Sequence, residues 1–167
     1  MRYGCAAVCV HPIYVARAAA RLRGSPVKVA TVVGFPLGAT LTAVKVAEAE
    51  LALALGAQEI DMVLAVGLLK DGALEAVRAD LQAVVAVCHA AGARCKVILE
   101  TALLRPEEKV LAARLAVEAG ADFVKTATGF GPGGATVEDV RLLRQAVGPA
   151  VGVKASGGIR TAEQAIA

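Results

Sequence analysis

Aromatic side chains are almost missing from these 167 residues, which hold three Phe, two Tyr and no Trp. A surface that stacks nucleic-acid bases needs such rings. No basic block compensates, because the net charge of +3 comes from interspersed signs. Nucleic acid and membrane surfaces are therefore not expected partners, whereas a small anion such as a phosphate ester suits the slight positive excess. No apolar run approaches the roughly 20 residues that a bilayer span requires. The opening Met1-Arg2-Tyr3-Gly4-Cys5 lacks the apolar core of a secretory signal. The four cysteines, Cys5, Cys9, Cys88 and Cys95, make neither a Cys-x-x-Cys pair nor a Cys/His metal spacing. Cys5 and Cys9 stand too far apart along an extended strand to be bridged. Reduced cysteines in a cytoplasmic protein without a metal site are the expectation.

What is present is Ala, Val and Leu, which dominate an apolar fraction of 57%. Runs rich in β-branched residues predict strands over 6–10, 27–33, 59–64, 95–100, 123–126 and 151–155. Segments rich in Ala, Leu, Glu and Arg predict helices over 13–22, 41–55, 74–90, 106–119 and 137–146, with another starting near Thr161. Gly56, Gly92 and Gly120 each stand between a predicted helix and the next strand, the position that stops a helix in a left-handed conformation. Pro106-Glu107-Glu108 and Thr161-Ala162-Glu163-Gln164 carry the chemistry of helix starts.

Repeated βα units without tight hairpins point to a parallel sheet. A doubly wound sheet usually carries a glycine-rich phosphate loop after its first strand, and the sequence has none there. Polar residues instead recur in or at the ends of successive strands: Thr31, Asp61, Lys96, Glu100, Lys125 and Lys154. That distribution is how a TIM (β/α)8 barrel builds its site. About six βα units are present where a closed barrel has eight. The expectation is a single domain over 1–167 representing part of such a barrel.

Lysine is costly inside an apolar strand unless its charge is offset. Lys125 and Lys154 fall in successive strands, which in a barrel are neighbours at about 4.8 Å. Both amines can then face one cavity, where like charges weaken one amine's hold on its proton, as Schiff-base chemistry requires. The alternative is that one lysine points outward and keeps its charge in water. Asp61 shares a strand face with Glu59 and Val63 and can hold a lysine's charge, position a water or move protons. Lys96 and Glu100 share a face of their own strand, and either extend this network or pair with each other.

Ser156-Gly157-Gly158 follows the Lys154 strand and enters a helix, so its bare N–H groups form either a phosphate cradle or a simple turn. His11 precedes Pro12 near the mouth. His89 sits at a helix end, the ordinary place for a solvated histidine. Arg160 suits either an anion or plain exposure.

Taken in order, several motifs resemble those of the deoxyribose-phosphate aldolase family, class I aldolases with a TIM-barrel fold. They are Ala6-Ala7-Val8-Cys9-Val10, Val32-Val33-Gly34-Phe35-Pro36-Leu37-Gly38, Glu59-Ile60-Asp61-Met62-Val63 and Lys96-Val97-Ile98-Leu99-Glu100-Thr101. Further on come Gly120-Ala121-Asp122-Phe123-Val124-Lys125-Thr126-Ala127-Thr128-Gly129 and Val153-Lys154-Ala155-Ser156-Gly157-Gly158-Ile159-Arg160. Ala127 stands where the family usually has Ser, and the family's first and last strands have no counterpart in these residues.

The resemblance implies reversible cleavage of 2-deoxy-D-ribose 5-phosphate to D-glyceraldehyde 3-phosphate and acetaldehyde, with no cofactor. It makes Lys125 the Schiff-base lysine, Lys154 the second lysine that lowers its pKa, and Asp61 the acid–base carboxylate. Cys9 and Lys96 would line the site, Thr128 would place a sugar hydroxyl, and Gly129, Gly157 and Gly158 would offer backbone to the phosphate. A homo-oligomer is compatible with the alanine-rich helix faces. The competing readings are another Schiff-base barrel enzyme, or a weakly active or non-catalytic fragment that binds phosphate esters.

Overall fold

A computed structural model of the chain describes residues 4–166. Six strands form one sheet: β1 Ala7–Val10, β2 Lys28–Val33, β3 Glu59–Val63, β4 Arg94–Ile98, β5 Phe123–Lys125 and β6 Gly152–Lys154. The helices are α1 Val15–Arg21, α2 Thr42–Ala54, α3 Val66–Lys70, α4 Leu74–Ala90, α5 Pro106–Glu118, α6 Val137–Val147 and α7 Ala162–Ile166. The short α3 has no counterpart among the sequence expectations. Its five residues give no full amphipathic repeat.

Spatial order follows chain order, β1 through β6, and every neighbouring pair is parallel. A doubly wound sheet would reverse direction at a switch point. An uninterrupted succession of β-strand, helix and next strand is instead an arc of a (β/α) barrel.

Strand alternation divides the sheet's chemistry. Val29, Val33, Ile60, Met62, Cys95, Val97 and Val124 face the helices and share one core with Ala49 and Ala52 of α2, Leu81 and Val84 of α4, and Ala112 and Leu115 of α5. Alanine on these faces lets the helices lie close to the sheet. On the inner face, Val32, Asp61 and Lys96 stand in one register row, while Ile98, Lys125 and Lys154 stand in the next. Thr31 corrects one expectation. It lies between Val29 and Val33 on the helix-facing side, and its hydroxyl donates to the Val10 carbonyl at 2.8 Å, so it takes no part in the inner ring.

The helix boundaries follow the expected local chemistry. Gly56, Gly92 and Gly120 take φ of 103°, 68° and 88°, the left-handed region where a side chain is unfavourable. Glu108 accepts from the Arg105 N–H at 2.7 Å, and Gln164 and Thr161 exchange bonds at the start of α7. No helix among the described residues is long and apolar enough to cross a membrane.

One buried ion pair escaped the sequence reading. Lys45 of α2 is fully buried, and its amine donates to Asp80 of α4 at 2.5 Å and to the Val63 carbonyl at 3.1 Å. Thr42 adds a hydroxyl bond to Asp80 at 2.9 Å. Removing one member strands the other charge in the core. Asp80→Ala is therefore expected to cost about 3–5 kcal/mol in urea unfolding, and Lys45→Met with Asp80→Leu to cost much less. Equal losses in the two variants would show that the pair's charges are not what holds this contact.

Candidate active site

Strand register brings three lysines onto one carboxylate. Asp61 is fully buried; its Oδ1 accepts from Lys96 Nζ at 2.7 Å, and its Oδ2 accepts from both Lys125 and Lys154 Nζ at 2.9 Å. Lys96 also contacts Glu59 at 2.6 Å, one inward-facing step below Asp61 on β3. The two lysines expected to face each other are thus bridged by an anion, and their amines are no more than twice 2.9 Å apart.

The electrostatics follow from that arrangement. Burial opposes ionisation of Asp61, but Lys125, Lys96 and Lys154 together outweigh it and hold the carboxyl well below the usual carboxylate range. Burial likewise disfavours the Lys96 ammonium, yet Asp61 and Glu59 raise its pKa above the ordinary lysine value. Three amines face two carboxylates. Fully charged, the group carries one unbalanced positive charge in a largely buried cluster, and loss of one proton removes it. Lys125 and Lys154 differ in hydration, their side chains being 7% and 33% exposed.

Both these lysines line a cavity of about 470 Å3 at the C-terminal ends of the strands, together with Cys9, Val32, Phe35, Thr128 and Ser156. A larger cavity of about 600 Å3 opens at the opposite ends, between Lys28, Gln58 and Arg94. It holds none of the converging amines, and barrel chemistry sits at the C-terminal face, so the smaller cavity is the candidate site. Cys9 is accessible there. Desolvation by the surrounding protein and repulsion from Asp61 raise its thiol pKa, against a partial offset from the three lysines.

The other expected residues fall into place unevenly. Lys96 lies beside Asp61, one row below Lys125 and Lys154, and is not on the cavity wall as expected. Glu100 does not pair with Lys96. It leaves the strand with φ of 55°, and its carboxylate accepts from the Thr128 hydroxyl and, at 3.2 Å, from the Thr128 N–H.

Gly157 and Gly158 adopt φ of 84° and 78°, and the Gly157 carbonyl accepts from Ala135 N at 3.0 Å. At the entry to α7, Gln164 occupies the Arg160 and Thr161 N–H groups. Of that predicted cradle, the N–H groups of Gly157 and Gly158 donate to no group among the described residues. Gly129 packs beside Gly157, where an added Cβ would come within 3.9 Å of the Gly157 Cα.

His11 lies at the rim as expected, and two Phe residues that the sequence did not single out join it. His11, Phe35 and Phe130 meet edge to face, with ring centroids 5.4–6.3 Å apart. Two of the chain's three Phe residues gather here. Glu59 was also passed over, although alternation placed it on the Asp61 face.

Comparison with known proteins supplies the family. The profile of the DeoC/LacD family aldolases matches residues 1–167. The chain belongs to that family. It is 60% identical to the deoxyribose-phosphate aldolase of Thermococcus gammatolerans over 169 residues, covering all of this chain and 75% of that protein. The Brevibacillus brevis deoxyribose-phosphate aldolase is 60% identical over 161 residues, covering 96% and 72%. Among solved structures, the tetrameric deoxyribose phosphate aldolase of Aeropyrum pernix superposes with a TM-score of 0.87 at 36% identity, covering 95% of this chain and 66% of that one.

In this aldolase-family site the depressed Asp61 has a consequence for acid stability. Its folded pKa lies below the unfolded value of about 3.9, so its contribution is complete above that value and is lost as pH falls through the folded one. Glu108 acts in the same direction, its pKa lowered to about 2, chiefly by the Arg105 backbone N–H. Unfolding followed in denaturant should show stability falling below about pH 4. Asp61→Asn should make that limb shallower by up to about 1.4 kcal/mol per pH unit, the effect of one proton. An unchanged slope in that variant would contradict the assigned charge state.

Proposed function

We propose that this chain is a class I aldolase that reversibly cleaves 2-deoxy-D-ribose 5-phosphate to D-glyceraldehyde 3-phosphate and acetaldehyde, with Lys125 as the Schiff-base lysine. The observation that carries the reading is a buried lysine amine, held on Asp61 beside a second lysine, opening into the cavity at the C-terminal strand ends. The names of the relatives support the substrate. Of the three amines, Lys96 is held charged by two carboxylates and Lys154 is the most hydrated, which favours Lys125 as nucleophile.

Neutral Lys125 adds to the C1 aldehyde, and loss of water leaves an iminium. The C3 hydroxyl gives up its proton to the ionised Asp61 carboxylate through a water, its O–H electrons form the new carbonyl, and the C2–C3 bond breaks. That bond's electron pair moves onto the iminium to give an enamine, and D-glyceraldehyde 3-phosphate departs. Protonation at C2 and addition of water then release acetaldehyde and restore the amine. Asp61 is ionised at working pH, so it acts by holding the amines in line and passing protons between Lys125, Lys154 and a bound water. Cys9 lines the cavity, Thr128 places a sugar hydroxyl, and the backbone of Gly129, Gly157 and Gly158 faces the phosphate.

The reading extends to a cytoplasmic enzyme, in keeping with reduced cysteines, and to one site-bearing unit over 1–167. Self-association is supported by the tetrameric Aeropyrum pernix relative and by the exposed Leu41 and Leu51 on one stretch of this chain.

The test is turnover of 2-deoxy-D-ribose 5-phosphate, read as glyceraldehyde 3-phosphate release. Lys125→Met should abolish it, and Asp61→Asn should lower kcat roughly 100- to 10,000-fold. Turnover surviving in Lys125→Met would sink the Schiff-base assignment.

A further inference from the structure

Glu100 has no role in the chemistry above, yet it is held in an unusual state. It stands two residues beyond β4, after Leu99, with φ of 55° and ψ of 63°, left-handed backbone that a side chain seldom adopts. Its residue is 4% exposed, and Oε1 is buried with no hydrogen-bond partner among the described residues. Leaving a carboxylate oxygen in that state is unfavourable and calls for a physical reason. Oε2 takes both polar hydrogens of Thr128, from the backbone N–H at 3.2 Å and from the hydroxyl. The following loop is fitted to this carboxylate, because a Cβ on Gly131 would lie 2.8–3.0 Å from its atoms.

The bonding capacity of the Thr128 hydroxyl is then nearly fixed. It has one hydrogen and two lone pairs. The hydrogen goes to Glu100, and one lone pair accepts from the Phe130 N–H at 3.1 Å. The capacity left is a single lone pair, on a residue that lines the same cavity as Lys125 and Lys154. Such a group can accept a hydrogen bond from a ligand but cannot donate one.

We propose that Glu100 is a positioning residue that sets the Thr128 hydroxyl as an acceptor, so that the site selects aldehydes with a hydroxyl beside the carbonyl. The inference rests on the aldolase reading and deepens it, assigning substrate selectivity to a residue that does not touch the substrate. Without Glu100 the Thr128 hydroxyl is free to rotate, its remaining lone pair is no longer held in one direction, and the advantage of the hydroxylated aldehyde falls.

The experiment is addition of acetaldehyde to two acceptors, D-glyceraldehyde 3-phosphate and 3-phosphopropanal, which differ by that hydroxyl. The readout is the ratio of their kcat/KM values. The unaltered chain should favour the hydroxylated acceptor roughly tenfold or more. Glu100→Leu should bring the ratio close to one, whereas Glu100→Gln, which keeps an acceptor oxygen in place of Oε2, should retain it. Thr128→Val should lose the ratio as well, and the Glu100→Leu and Thr128→Val double variant should show no further change.

The Thr128→Val comparison holds even where Glu100→Leu does not fold. A ratio near one in the unaltered chain overturns the proposal, as does a full ratio in Glu100→Leu or Thr128→Val. Turnover of neither aldehyde by the unaltered chain removes the aldolase reading and this inference with it. Turnover with the wrong ratio removes the inference alone.

Discussion

A single buried carboxylate, Asp61, organises the functional end of this molecule. It cannot be buried alone, since an isolated charge in the interior costs several kcal/mol after relaxation. The sheet supplies its partners through register: Lys96 lies directly beside it on β4, and Lys125 and Lys154 reach it from the next row on β5 and β6. A one-residue slip in any of these strands would send a lysine into the apolar helix-facing core. The alternation that builds the fold therefore also assembles the site.

Two buried ionic groups, Lys45 with Asp80 and the set around Asp61, show how structure and reactivity part company. Lys45 and Asp80 form a matched pair, closed off from water and completed by the Thr42 hydroxyl and the Val63 carbonyl. The Asp61 group has one amine too many and opens to a cavity through Lys154. A balanced, sealed pair holds helices together; an unbalanced, accessible one can give up a proton and attack. The two are also joined, because Lys45 anchors the carbonyl of Val63, two residues beyond Asp61 on the same strand. Packing on the outside of the sheet thus steadies the carboxylate on the inside.

The strand run of the fold was legible because glycine stops, β-branched runs and alternation act locally. The same local signals put Asp61, Lys125 and Lys154 in strands, and an apolar strand makes a lysine conspicuous. What could not be read was partnership across the chain. Lys45 and Asp80 each sit in the apolar stripe of their helix, beside Ala49 and Ala52 and beside Val77 and Leu81, but nothing local says that α2 meets α4 at that point. Thr31 is polar and lies in a strand, but alternation with Val29 and Val33 turns it to the helix side. Glu100 was seen as part of β4, whereas the strand ends at Ile98 and its backbone turns left-handed, handing its carboxylate to Thr128 instead of Lys96.

The claim on which the rest turns is that Lys125, of three amines gathered on one carboxylate, is the one that attacks. Borohydride reduction in the presence of acetaldehyde, followed by peptide mass mapping, tests it most directly. The account predicts a single ethyl adduct on Lys125, with Lys96 and Lys154 unmodified. An adduct on Lys154 or Lys96, or none on any of the three, would contradict it.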